Sequence, residues 1–241
     1  MKIYLDSVST TSRPVLLFLA EHDVPAEIVP INLLADEHLT PEFAALNPNK
    51  SVPTLQEGDF VLTECSAILK YLAEKASSRT YPKDLKARAR VNEAMDWFNT
   101  GFYRDLGYGV VYPQILPHYA FANPVTQADV LRRGEERAAA RLAILDGHWL
   151  RGVDFLCGSE PTIADYLGSC YVAIADWVGF DITSYGNVLR WMLVMKARPS
   201  WEKTHREWNA MAAMLRAESL PSRGYVSARK TLDSNLRGGR G

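Results

Sequence analysis

Residues 1–6 (MKIYLD) alternate apolar and polar positions, a period of two that predicts a short strand. Hydroxyl residues follow (Ser7, Ser9, Thr10, Thr11, Ser12), then Arg13 and Pro14, and residues 15–21 supply an apolar helical face. Serine and threonine gather at helix N-caps because their oxygens accept orphan amide bonds, and proline suits a first helical turn. Residues 25–32 (PAEIVPIN) read as a second strand, and Pro30 marks it as an edge or an irregular one. Asn47-Pro48 breaks any helix before it. Residues 51–55 are then extended, and Glu57-Gly58-Asp59 is a turn between two apolar runs, so residues 54–63 are predicted to form a hairpin. Glu64-Cys65-Ser66 opens a helix whose one face carries Ile68, Leu69 and Leu72.

A polar stretch with one proline at residues 79–84 (RTYPKD) marks a domain boundary, and the period lengthens after it. Val91, Met95, Phe98 and Phe102 lie 4, 3 and 4 residues apart, one apolar face of a long helix. Residues 107–123 (GYGVVYPQILPHYAFAN) are rich in Gly, Pro and Tyr and predict a loop able to cover a pocket. Residues 124–149 are helical again, with Leu131, Leu142 and Leu145 set among four arginines. Thr162-Ile163-Ala164-Asp165 has the form of a capping box, flanked by Pro161 and Tyr166 at the staple positions. That pattern assigns Asp165 to stability and not to catalysis. Residues 188–198 and then Pro199-Ser200-Trp201 close the helical half, and no internal repeat of roughly 20–50 residues is present.

The 241 residues are 47% hydrophobic, ample for one large or two modest domains. The formal charge of −1 makes no overall electrostatic case for nucleic acid or an anionic membrane. The balance is uneven: residues 219–241 hold Arg223, Arg229, Lys230, Arg237 and Arg240 against Asp233, a net +4 that leaves −5 for the rest. A Gly/Ser/Arg tail of this kind is expected to be disordered. Three cysteines (Cys65, Cys157, Cys170) are too few and too scattered for a disulfide framework or a zinc site. No apolar stretch approaches the ~20 residues of a membrane span. The expectation is a reduced, cytoplasmic protein with no metal, no membrane and no nucleic-acid partner.

Candidate chemistry concentrates in residues 47–72 (NPNKSVPTLQEGDFVLTECSAILKYL). A strand, a hairpin and a helix opened by Glu and Ser make a small surface with exposed backbone groups, and helix N-termini bind carboxylates. By residue type alone the readings are modest. The hydroxyls at 7–12 cap a helix, His38 in ADEHLTPEF is solvated, Lys50 is a surface lysine, and Cys65 packs. The aromatic helix after residue 87 is core, and His118 is structural or solvated.

The same residues carry a family resemblance. The Val-Pro of NPNKSVPTL resembles the cis-proline element of the glutathione transferases, and TECSAILKYL resembles that family's Glu-Ser-x-Ala-Ile helix start. The likeness covers residues 1–218 and is greatest to the theta-like branch, which has a serine rather than a tyrosine near the N-terminus. It implies an α/β thioredoxin-like domain at 1–78, a linker at 79–84 and an all-α domain with an electrophile pocket at 85–218. Residues 219–241 remain as the tail, and the assembly implied is a homodimer.

The resemblance also implies roles. Ser9 keeps the theta-like spacing of four before Arg13 and is the catalytic choice, with Ser7, Thr10 and Thr11 as competitors. Thr11 departs from the pattern, which often carries a proline there. His38 and Lys50 would face the glycyl carboxylate of glutathione, and the Val52 backbone beside a cis Pro53 would pair with its cysteinyl part. Glu64 would meet the γ-glutamyl amino group. The next residue, normally serine, is here Cys65, a weak donor for which Ser66 partly compensates. Thr10, Thr11, Tyr103, Arg104 and Tyr108 would line the electrophile pocket.

A free thiol has a pKa of about 8.5 and the thiolate is the nucleophile. A hydroxyl donating to sulfur near the positive end of a helix favours the thiolate. The expected function is therefore a transferase that activates glutathione toward a hydrophobic electrophile, by conjugation or by displacing halide or ether. The alternative is a non-catalytic protein that binds glutathione or apolar ligands, which the Cys65 departure would suit. A thiol-disulfide reductase is disfavoured because no CxxC exists.

Overall fold

The computed structural model describes residues 1–22, 24–217 and 234. The expectation for the basic tail at 219–241 lies, but for Ser234, outside the described residues. Strand β1 (Lys2–Leu5) buries Ile3 and Leu5, as its alternation requires. It runs parallel to β2 (Glu27–Pro30) and antiparallel to β3 (Thr54–Glu57), which turns at Gly58 (φ +60°) into β4 (Phe60–Thr63). The sheet order is β2-β1-β3-β4, so Pro30 sits on an edge strand, where a missing amide costs least. Helices α1 (Arg13–Glu21), α2 (Pro41–Leu46) and α3 (Cys65–Lys75) accompany the sheet, and Ile68, Leu69 and Leu72 of α3 are fully buried.

The helical half begins with α4 (Leu85–Trp97), capped where the Ala87 amide donates to Asp84 Oδ1 at 2.9 Å. Val91, Met95, Phe98 and Phe102 are all fully buried, as their spacing predicts. The loop expected at 107–123 is present only over 116–123, around a 3-10 turn at Pro117–Tyr119, and is corrected before that. The helix runs on through π-helical turns at Phe98–Phe102 and Arg104–Val111 and a last α turn, α5 (Tyr112–Ile115). Pro113 falls in the first turn of α5, a position that tolerates the missing amide. The glycines serve close packing instead of breaking the helix. Gly109 meets Gly134 of α6 (Pro124–Ile144) so tightly that a Cβ on Gly134 would lie 2.0 Å from the Gly109 carbonyl oxygen. Gly134→Ala is therefore expected to cost about 2–3 kcal/mol, read as a lower denaturation midpoint. Gly147→Ala, where nothing lies within 4 Å, serves as the control.

Helices α7 (Ile163–Val172), α8 (Gly186–Lys196) and α9 (Pro199–Ala217) complete the described fold. The buried Asp165 carboxylate accepts from the amides of Leu156 (2.9 Å) and Thr162 (2.8 Å), from Thr162 Oγ1 (2.9 Å) and from Trp191 Nε1 (3.0 Å). Helix α1 is tied to the helical half at both ends. The fully buried Arg13 guanidinium donates to the Cys170 carbonyl at 2.8 Å and lies 3.2 Å over the Trp208 ring. Burial pulls its pKa down to about 10.

At the other end of α1, Glu21 accepts from Arg198, Ser200 and Tyr166. Burial alone would raise the Glu21 pKa, but the donors outweigh it and hold the carboxyl below its usual 4.5. A depressed folded-state pKa contributes stability above the unfolded value, lost as pH falls through the folded one. Glu21→Gln is expected to cost about 1–2 kcal/mol at pH 7, between the surface and buried ion-pair limits. The variant's stability should also fall less steeply than wild type below pH 4.5 in denaturant titrations.

Candidate functional site

The loop between β1 and α1 folds back on itself, the Ser9 carbonyl accepting from the amides of Ser12 and Arg13 at 3.2 Å. Counting hydroxyl hydrogens orders the groups around it. Thr11 Oγ1 donates to the Val52 carbonyl at 2.9 Å, so Ser9 is the donor in the 3.1 Å contact between Ser9 Oγ and Thr11 Oγ1. Buried Thr10 accepts from the Tyr112 hydroxyl at 3.0 Å. Ser9, Thr10 and Thr11 line one cavity of about 420 Å³. Ser7 does not reach it. Its hydroxyl donates to Glu207 in a larger apolar groove of about 570 Å³ between α1, β2 and α9, which holds no other predicted site residue.

His38, Lys50 and Val52 stand on the opposite wall of the smaller cavity. His38 Nδ1 is buried without a hydrogen-bond partner among the described residues, and Lys50 is exposed with φ +52°. The Val52–Pro53 peptide is cis. The turn before it is pinned by buried Asn47, whose Nδ2 donates to the Ser51 carbonyl (2.8 Å) and to Thr54 Oγ1 (2.9 Å).

An adjoining cavity of about 350 Å³ contains Pro53, Glu64, Cys65 and Ser66, and shares Thr11, Val52, Tyr103 and Tyr108 with the first. The two form one groove from His38 to the start of α3. Glu64 precedes α3 at φ +70° without capping it. Such a backbone costs a non-glycine residue on the order of 1–3 kcal/mol and is typical of functional sites. Burial, with the Cys170 and Glu64 charges adding, drives the Cys65 thiol pKa up, so it stays neutral and unreactive.

Tyr103 and Tyr108 face both cavities, and Tyr112, Leu116, Tyr119 and Trp177 line the one that holds Ser9. Arg104 is a correction: it is turned out of both cavities, its exposed Nε paired with Asp105 Oδ1 at 2.9 Å. Buried Asp105 also accepts from Arg141 Nε at 2.9 Å, so Arg104 belongs to the joint between the long helix and α6. His118 is exposed, as the solvated reading expects, and lies at the cavity rim beside Tyr119 at 4.4 Å between ring centroids. Sequence periodicity also missed Tyr112. At about 100° per residue, positions nine apart fall on opposite helix faces, but the intervening π-helical turns bring Tyr103 and Tyr112 onto one face.

Among the described residues no group of three or more His, Cys, Asp or Glu could hold a metal ion, and no helix is long and apolar enough to cross a membrane.

Known proteins place these features in a family. Residues 3–74 match the glutathione S-transferase N-terminal domain. The chain is 36% identical over 171 residues to glutathione S-transferase theta-1 of Homo sapiens, spanning 68% of this chain and 69% of that one. Against theta-2 of Rattus norvegicus it is 32% identical over 170 residues, spanning 69% and 68%. The structure of human glutathione transferase theta-2 in complex with glutathione and an unknown ligand superposes with TM-score 0.80 at 26% identity, over 96% of this chain and 98% of that one. The chain belongs to the glutathione S-transferase family. Within it, the likeness is to the theta class.

Proposed function

We propose that the protein is a serine-type glutathione transferase in which Ser9 holds the glutathione thiolate for attack on a small hydrophobic electrophile. The observation that carries this reading is the continuous groove joining Ser9, the Val52–Pro53 turn and the start of α3. Glutathione laid along it would set its glycyl carboxylate toward His38 and Lys50 and its cysteinyl part against the Val52 backbone. The γ-glutamyl end would reach Glu64 and the free amides of Cys65 and Ser66, a helix start suited to an anion. The Val52 carbonyl already takes the Thr11 hydrogen, but its second lone pair remains for the cysteinyl amide. On binding, the Ser9 hydrogen turns from Thr11 to sulfur, and Tyr103, Tyr108, Thr10 and Thr11 border the electrophile.

This reading takes residues 1–78 as the glutathione-binding domain, 79–84 as the linker and 85–218 as the helical domain. It takes the assembly as a cytoplasmic homodimer needing no metal. The test is depletion of glutathione, followed by thiol titration, with an alkyl halide or an epoxide as electrophile. Saturable binding without depletion by either would favour a non-catalytic binding protein. A sharper expectation concerns the departure at residue 65. Cys65→Ser restores a strong donor to the anion end and should tighten glutathione about 2–10-fold in calorimetry, the 0.5–1.5 kcal/mol of a net hydrogen bond. Weaker binding would mean that the site is tuned to another ligand.

A further inference from the structure

The cavity at the start of α3 takes part of its lining from the helical half. Asn99, in the first π-helical turn after α4, borders it together with Glu64, Cys65 and Ser66, and Tyr171 of α7 stands beside Asn99. The Tyr171 hydroxyl donates to Asn99 Oδ1 at 3.0 Å. Tyr171 is itself held firmly: it is buried, stacked on Tyr103 at 4.4 Å and edge to face with Phe98 at 6.5 Å. Burial pushes its pKa well up, so it remains a donor at neutral pH. The reverse orientation of the amide would leave that buried hydrogen without an acceptor among the described residues, so Nδ2 is the free end of Asn99. Six residues line this cavity and not the one that holds Ser9: Pro53, Glu64, Cys65, Ser66, Asn99 and Tyr171. Pro53 and ionised Glu64 have no side-chain hydrogen to give, Cys65 is a weak donor, and Tyr171 is committed to Asn99. Strong uncommitted donors remain on Asn99 and Ser66. Ser66 sits about 100° round the helix from Cys65, whereas the Asn99 amide is fixed in place.

We propose that Asn99 is a glutathione-binding residue whose Nδ2 donates to the γ-glutamyl α-carboxylate, in place of the strong side-chain donor that Cys65 lacks. The proposal rests on the reading of the groove as a glutathione site with its γ-glutamyl end at Glu64 and the start of α3. Nδ2 can only donate, so it serves the carboxylate, while ionised Glu64 can only accept and serves the ammonium beside it. A carboxylate offers about four lone-pair sites, enough for Nδ2 and for the free amides of Cys65 and Ser66. Tyr171 fixes the amide before the ligand arrives, so little ordering is lost on binding. The helical half thereby takes part in selecting the γ-glutamyl end, and a thiol peptide without the α-carboxylate forfeits this contact.

The test is calorimetry of wild type and Asn99→Asp with glutathione and with an analogue that lacks the γ-glutamyl α-carboxylate. Aspartate keeps the acceptor for Tyr171 and puts a second acceptor where Nδ2 stood. Glutathione affinity is expected to fall about 10–100-fold, the range of a hydrogen bond to a charged group, while affinity for the analogue holds or rises. Asn99→Ala should weaken glutathione selectively too, and Ser66→Ala should not. Unchanged affinity, or equal losses on both ligands, would overturn the role of Asn99 and leave the glutathione site standing. Tighter glutathione in Asn99→Asp would also overturn it, since the residue would then meet the ammonium. Wild-type protein that binds neither ligand would overturn the glutathione reading, and this proposal with it.

Discussion

Replacing Asp165 by alanine is expected to lower the melting temperature by about 8–16 °C. The carboxylate is fully buried and receives four donors, two of them amides before α7, one the Thr162 hydroxyl and one the Trp191 indole. Alanine leaves all four without a partner in a dry interior, where each unmade bond to a charged group forfeits about 1.5–3 kcal/mol. Partial relaxation makes the net loss about 4 kcal/mol, since removing one member of a buried polar set costs about 3–5 kcal/mol. A chain of this size shifts by about 2–4 °C per kcal/mol. Burial raises the Asp165 pKa while the same four donors oppose it, so they offset the cost of a buried carboxylate. Asp165→Asn keeps one acceptor oxygen and should lose roughly half as much. Differential scanning calorimetry checks the series, and equal losses for Ala and Asn would deny that the bonds, rather than the space filled, matter.

Ser9→Ala should reduce turnover about 100-fold while changing glutathione affinity little. A hydrogen bond to a charged acceptor contributes about 1.5–3 kcal/mol, which is roughly 1–2 pKa units of thiolate stabilisation. Removing a preorganised donor from developing negative charge costs about 10²–10³ in rate. Ser7→Ala should leave kinetics unchanged, because Ser7 faces Glu207 in the separate groove. Steady-state kinetics on the two variants decides between them. A Ser9 variant of wild-type activity would shift the role to Thr10, since of the other candidate hydroxyls Ser7 lies in the separate groove and Thr11 gives its hydrogen to Val52.

Much of this was legible in the chain. Period-two patterning located the first strand, because a half-buried sheet enforces alternation, Pro30 marked the edge strand, the Glu57-Gly58-Asp59 turn between apolar runs located the hairpin, and the 4-3-4 spacing of Val91, Met95, Phe98 and Phe102 located the long helix. Thr162 and Asp165 announced their own cap. The illegible part was the stretch after Gly107. Single-residue propensities read Gly and Pro as breakers, but Gly109 and Gly134 let two helices approach at backbone contact, and π-helical turns changed the period. Two readings failed through that one change. Arg104 was placed in the pocket beside Tyr103, and Tyr112 was assigned to a loop. The orientation of the hydroxyls at residues 7–12 was equally hidden, since it depends on Val52, Tyr112 and Glu207, partners distant in sequence.

The central claim is that this groove stabilises a thiolate. An ultraviolet difference titration of the glutathione complex against pH follows thiolate absorbance directly. A saturable signal with an apparent pKa about 1–2 units below the ordinary thiol value near 8.5, moving back toward it in Ser9→Ala, is the predicted result. Glutathione that binds saturably with an unshifted thiol pKa would contradict the account.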